Sequence, residues 1–196
     1  MLMDLVLKNR SYRRFDGQHK ISMAELIDIA SLSRIVPSSR NLQPIKLMLI
    51  NSTHENNLVF STLNWAAQLK EWKGPSESER PTAYILLLND LEIGQNFPID
   101  DGIIAQTLML GAVEKGYGGC ILSNINRPLL AKSLNIDSTK YTIDLVLALG
   151  KPSEEIILEK LSPTGSTHYY RDAQDIHHVP KRSLNDLIVY KTADSN

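Results

Sequence analysis

Hydrophobic positions along the chain change period several times, and each change marks an element. Leu2, Leu5 and Val6 sit at helical spacing near the start. Leu26, Ile29, Ala30 and Leu32 recur at the spacing of one helix face, which predicts a helix over 22–34. Ser22 with Glu25 three residues on has the pattern of a capping box, and Ile21 with Leu26 that of a hydrophobic staple. The run Ile45–Ile50 carries apolar residues at both parities, which predicts a strand covered on both faces. Residues 54–73 place Leu58, Leu63, Ala66, Ala67 and Leu69 among polar positions and read as a second long helix. A breaker-rich stretch follows from Gly74 to Pro81, suited to a surface loop, a flap or a contact loop. Tyr84–Leu88 is a second buried strand. Residues 100–115 form the most apolar helix of the chain, one that belongs at a domain centre or an interface. A glycine-led strand begins at Gly118, Pro128 opens a short helix over 127–135, and Thr142–Gly150 is a further strand. From Leu161 onward the chain is polar.

Composition narrows the class. An apolar fraction of 42% and a charged fraction of 22% are ordinary for a globular domain, and 196 residues suit one domain or one protomer of an intertwined pair. A formal net charge of −1 argues against general nucleic-acid binding, which needs a basic surface. A lone cysteine, Cys120, rules out an intrachain disulfide and fits a reducing compartment. No signal-peptide pattern and no uncharged run of membrane-spanning length is present, so the expectation is a cytoplasmic protein.

Three stretches carry candidate chemistry. Pro37-Ser38-Ser39-Arg40-Asn41-Leu42-Gln43-Pro44 joins the first long helix to the first strand. Its two prolines stiffen it and bias it away from helix. Asn41 and Gln43 each offer a donor and an acceptor, as a flat heterocycle edge requires, although from chemistry alone an ordinary loop that satisfies its own turn is the commoner meaning of such residues. Arg10, Ser11, Arg13 and Arg14 lie within five positions and make either an anion site or a solvated basic patch. Gly116, Gly118 and Gly119 lead into a strand, so backbone there can approach a neighbour closely; they leave a helix rather than open one, the reverse of a dinucleotide fingerprint. Cys120 reads as a packed small hydrophobe. Asp100 and Asp101 suit a helix start. His177 and His178 diverge if they lie in a strand and lack a third ligand, so no metal site is expected.

Taken in order, these stretches resemble the nitroreductase family. P-S-S-x-N-x-Q-P between helix and strand resembles its flavin-binding segment. Arg10, Ser11 and Arg13 fall on the last positions of an R-R-S-x-R-like motif, with Asn9 where the first arginine is usual. Gly116, Gly118 and Cys120 resemble a G-x-G-x-C strand beside the flavin, with Ser123 and Asn124 just beyond it. Gly150-Lys151-Pro152 resembles the family's strand ending, and Lys181 and Arg182 its basic C-terminal element. The resemblance implies an α+β fold with a central mixed or antiparallel sheet flanked by helices. It implies one domain over 1–196 in an intertwined homodimer, the tail from about 161 wrapping the flavin site or the partner. It implies one FMN at each of two interface sites and hydride transfer from NAD(P)H to a nitroaromatic or quinone in a ping-pong cycle, with no obligatory protein acid or base. The flavin contacts it implies are Arg10, Ser11, Arg13, Pro37, Ser38, Ser39, Asn41, Gln43, Ser123, Asn124, Lys181 and Arg182. Arg13 would lie near the pyrimidine edge and the backbone at Ser123 near the reactive N5. A flavin sensor without turnover, a reductive dehalogenase and a flavin-consuming enzyme are the alternatives.

Overall fold

The computed structural model describes residues 1–94, 98–162 and 164–192. Its centre is a four-stranded antiparallel sheet in the order β1-β2-β4-β3: β1 Ile45–Ile50, β2 Ala83–Asp90, β3 Gly118–Leu122 and β4 Tyr141–Gly150. Every residue of β2 is buried. Strand alternation then divides the core in two. Tyr84, Leu86, Val146, Ala148 and Cys120 face one side and pack with Val59 and Leu130. Ile85, Leu87, Leu147 and Leu149 face the other and pack with Leu26, Ile29, Leu108 and Met109. The first side is covered by α3 (Thr53–Phe60) and α5 (Arg127–Ser133), the second by α2 (Met23–Ser31) and α4 (Pro98–Glu114).

The expected capping box opens α2: the Glu25 amide donates to Ser22 Oγ, and the Ser22 amide donates to Glu25 Oε2. The α2 helix tightens into a 3-10 turn over Leu32–Ile35, so the helical stretch matches the expected one closely. Burial pushes the Cys120 thiol pKa up, in keeping with a packed side chain.

One local expectation fails. The helix expected over 54–73 stops at Phe60. Beyond it, Leu63 pairs with Ile125 in an isolated bridge, the Asn64 amide donates to the Asn124 carbonyl, and Ala66 takes a positive φ of 42°. Tertiary pairing overrides the helical spacing there. β1 is covered on both faces as expected, Met48 and Ile50 packing on the first side and Ile45, Leu47 and Leu49 on the second, but as an edge strand it leaves Leu47, Met48 and Leu49 half-buried.

The polar C-terminal stretch also folds. β5 (Ile156–Lys160), β7 (His177–Lys181) and β6 (Tyr170–Arg171) form a second sheet, with β5 parallel and β6 antiparallel to the central β7. A last helix, α6, spans Leu184–Leu187. The helix α1 (Leu2–Lys8) buries none of its residues and leaves Leu2, Met3, Val6 and Leu7 exposed. No described helix is long and apolar enough to cross a membrane.

His178 clamps this second sheet. Its Nδ1 lies 2.5 Å from Glu159 Oε1 and its Nε2 3.0 Å from Asp172 Oδ2, while Tyr170 stacks on the ring at 4.8 Å. With a carboxylate at each nitrogen, the doubly protonated ring satisfies both, and the hydrogen bonds to Asp172 and then Glu159 raise its pKa above the ordinary 6.5. A raised folded-state pKa stabilises fully below about 6.5, and that contribution is lost as pH climbs through the folded value. Thermal melts should therefore show a stability advantage over His178→Gln in mild acid that shrinks toward alkaline pH. An advantage independent of pH would show that His178 acts through packing alone.

Candidate functional site

The basic stretch after α1 is an extended arm, fastened on three sides. Ser11 bridges Gly119 in parallel register, and the Tyr12 amide donates to the Gly119 carbonyl at 2.9 Å, so the arm continues the main sheet beyond β3. Gly118 permits this approach: a Cβ there would lie 2.5 Å from Tyr12 Cδ2 and 2.7 Å from Pro152 Cγ. The close approach expected of these glycines is thus made first by the chain itself. Phe15 is fully buried, its amide donating to the Glu79 carbonyl and the Asp16 amide to the Lys151 carbonyl.

The third fastening is Glu154, whose side chain is 2% exposed. Its Oε1 accepts from the amides of Arg13 and Arg14, and its Oε2 accepts from Arg171 Nη2 at 2.5 Å. One carboxylate therefore joins the arm to β6. Arg14 turns away from its neighbours on the arm and pairs with Asp175 and, at 3.7 Å, with Glu79. Arg14 and Arg171 also lie over the ring of Trp72, at 5.8 and 5.2 Å. Trp65, by contrast, is part of the core.

Arg10, Ser11 and Arg13 instead line a cavity of about 640 Å³ between the arm and the second sheet. Lys181 and Arg182 line it from the end of β7, so five of the twelve expected site residues come together although the chain separates them widely. Asn9, Tyr169, His177 and Val179 complete much of the wall, and among the described residues no carboxylate belongs to it. Four cationic side chains without an acid make an anion site. Arg10 Nε, Arg13 Nε and His177 Nδ1 are buried and have no hydrogen-bond partner among the described residues. Arginine Nε–H only donates, so these groups fit an acceptor-rich ligand such as a phosphate with its adjoining hydroxyl chain.

The remaining expected residues lie elsewhere. Pro37, Ser38, Ser39, Asn41 and Gln43 do not line the cavity. Their loop is tied to the start of α4, where the Ser39 amide donates to both carboxylate oxygens of Asp100 at 2.9 and 3.1 Å. The Gln43 amide donates to Ser38 Oγ, and Gln43 Nε2 donates to the Asn41 carbonyl and Oδ1. Arg40, Asn41 and Gln43 all adopt positive φ, at 53°, 58° and 53°. Part of the loop's polar chemistry thus satisfies its own turn, yet Ser39, Asn41 and Gln43 remain exposed. Ser123 and Asn124 are exposed at the end of β3 and also lie outside the cavity; Asn124 is bonded to Asn64 through backbone and side chain.

Sequence reasoning singled out neither Tyr169 nor His177 for this site. His177 is 1% exposed, its Nε2 lies 3.4 Å from Arg13 Nη1, and its ring centroid is 5.2 Å from that of Tyr169. Arg13 Cζ sits 4.9 Å over the same tyrosine ring. Burial, then the nearby charges of Arg13 and Arg171, push the His177 pKa down to about 4, so the ring is neutral near pH 7. The signal available in advance was strand alternation, which sets His177, Val179 and Lys181 on one face.

The chain is similar to known proteins in sequence and in fold. "Putative NAD(P)H nitroreductase YdgI" of Bacillus subtilis (strain 168) is 25% identical to the chain, across 78% of this chain and 89% of its own length. A Desulfovibrio desulfuricans protein crystallised in complex with FMN shares the fold at a TM-score of 0.71 and 18% identity, covering 98% of this chain and 97% of that one. An Exiguobacterium sibiricum 255-15 protein, likewise crystallised with FMN, also aligns at a TM-score of 0.71 with 18% identity and covers 97% of both chains. The sequence profile of the nitroreductase family matches residues 6–151, the arm, the Pro37–Pro44 loop and the whole central sheet, and the chain belongs to that family of oxidoreductases.

Proposed function

We propose that the protein is an FMN-dependent oxidoreductase that passes hydride from NAD(P)H to a nitroaromatic, quinone or similar flat acceptor in two half-reactions at one site. The observation that carries this reading is the acid-free cationic cavity with buried unpaired donors at Arg10, Arg13 and His177. Arg10, Ser11, Lys181 and Arg182 hold the phosphate and ribityl end by charge-assisted hydrogen bonds. Arg13 lies toward the pyrimidine edge. FMN, when bound, supplies the hydride-accepting and hydride-donating ring system, so the chain need provide no acid or base of its own. What its residues contribute is binding, orientation and a field that favours the reduced cofactor.

The other half of the site comes from a second copy of the chain in a homodimer. The Pro37–Pro44 loop presents exposed amides away from the cavity of its own protomer, where they suit the heterocycle of the partner's cofactor. Ser123 and Asn124 border the ring. The exposed apolar residues of α1 and the half-buried edge strand β1 favour this assembly, since such surfaces mark contacts between chains. The chain forms one domain, and its part beyond about residue 161 closes over the flavin and the partner. A reducing cytoplasm, where NAD(P)H is regenerated, suits the lone buried thiol.

Visible absorption of the purified protein before and after anaerobic NADH or NADPH tests the reading. A two-banded flavin spectrum is expected to bleach with reductant and to recover when a nitroaromatic or quinone is added. A colourless protein that takes up no FMN would overturn it.

A further inference from the structure

We infer that His177 is a positioning residue, a neutral imidazole that fixes the Arg13 guanidinium against the bound cofactor while leaving its charge uncompensated. This rests on the reading above that Arg13 contacts FMN. A guanidinium can only donate, so at 3.4 Å from Arg13 Nη1 the Nε2 of His177 acts as the acceptor, and the ring proton belongs on Nδ1. The Tyr169 ring forms a common platform, with Arg13 4.9 Å over it and His177 5.2 Å from it. The Ser11 carbonyl accepts from the same Nη1 at 3.1 Å. Arg13 is thus held by two neutral acceptors and an aromatic face, while its own Nε is left without a partner among the described residues.

The chemistry of the partner decides what Arg13 can do. Two other guanidiniums in this region are paired with carboxylates: Arg171 with Glu154 and Arg14 with Asp175. A carboxylate partner would hold Arg13 equally well but would offset its charge. An imidazole kept neutral by burial and by the charges of Arg13 and Arg171 gives the orientation without that offset. An undiminished positive charge favours the more negative, reduced state of the cofactor. His177 accordingly bears on both flavin affinity and midpoint potential.

Four variants separate the possibilities, read by FMN titration and by the midpoint potential of the bound flavin, with circular dichroism as the check on folding. His177→Gln sets an amide oxygen near the Nε2 position and is expected to bind FMN within about three-fold of the parent. His177→Phe fills the space without an acceptor and should weaken binding about ten-fold, the loss of one hydrogen bond to a charged group. His177→Asp should lower the potential below that of His177→Gln. Arg13→Ala tests the underlying reading. If Arg13→Ala leaves affinity and potential unchanged, the placement of Arg13 fails. If Arg13→Ala weakens binding while His177→Phe does not, His177 merely fills the core and the inference is overturned. Should His177→Phe not fold, equal potentials for His177→Gln and His177→Asp would overturn it instead.

Discussion

Replacing Glu154 by alanine should destabilise the protein by about 3–5 kcal/mol, the range for removing one partner of a buried charge pair. The carboxylate is almost wholly buried and serves three donors at once, the amides of Arg13 and Arg14 and the Arg171 guanidinium. Its removal leaves two amide donors without their acceptor and the nearly buried Arg171 guanidinium with only the longer carboxylate contact to Asp175 at 3.4 Å. For a chain of this size the loss corresponds to a fall in Tm of about 6–20 °C. Glu154→Gln keeps an oxygen for the arm amides but loses the charge opposite Arg171, so it should fall between the two. Because the same carboxylate ties the arm to β6, flavin binding should weaken in parallel with stability. An alanine variant that melts within about 1 °C of the parent would show that the arm is held without Glu154.

Removing cationic groups from both walls of the cavity should have the largest effect on ligand binding. Arg10 comes from the arm and Lys181 from the end of β7, and both line the cavity, in which no described residue supplies a carboxylate. Charge-assisted hydrogen bonds contribute about 1.5–3 kcal/mol each. Arg10→Ala/Lys181→Ala should therefore weaken FMN binding on the order of 10²-fold or more. The loss should belong to the phosphate. Riboflavin, which lacks it, should bind the parent and the double variant about equally, and FMN should approach riboflavin in affinity for the variant. Equal losses for FMN and riboflavin would place these side chains against the ring and not against the phosphate.

How much of this was legible in the sequence depended on the range of the interactions involved. The core strands and α4 were readable because short apolar runs and a long apolar helix need no knowledge of their neighbours. The Ser22–Glu25 cap was readable because both partners lie within one turn. The segment after Phe60 was misread because its leucines and alanines keep helical spacing while Leu63 and Asn64 pair with Ile125 and Asn124, far along the chain. Arg10, Ser11 and Arg13 stood out by their density of donors, and the structure brings them to Lys181 and Arg182. His177 and Tyr169 did not stand out. Their position depends on β7 pairing in parallel with β5, a long-range register that short polar strands do not announce. The loop over 37–44 was legible as a stiff polar segment, but its separation from the cavity within one chain was not.

That loop has a thermodynamic consequence for binding. Three of its non-glycine residues, Arg40, Asn41 and Gln43, occupy the left-handed region, which disfavours an L side chain by about 1–2 kcal/mol per residue. The hydrogen bonds from Ser39 to Asp100, from Gln43 to Ser38 and from Gln43 to Asn41 hold the backbone there without any ligand. The conformational restriction is therefore met when the chain folds, and little ordering entropy remains to be lost when a flat ring settles against the loop. Such a surface favours a slow off-rate for a resident cofactor, since what escapes on dissociation is the ligand's freedom and not the loop's.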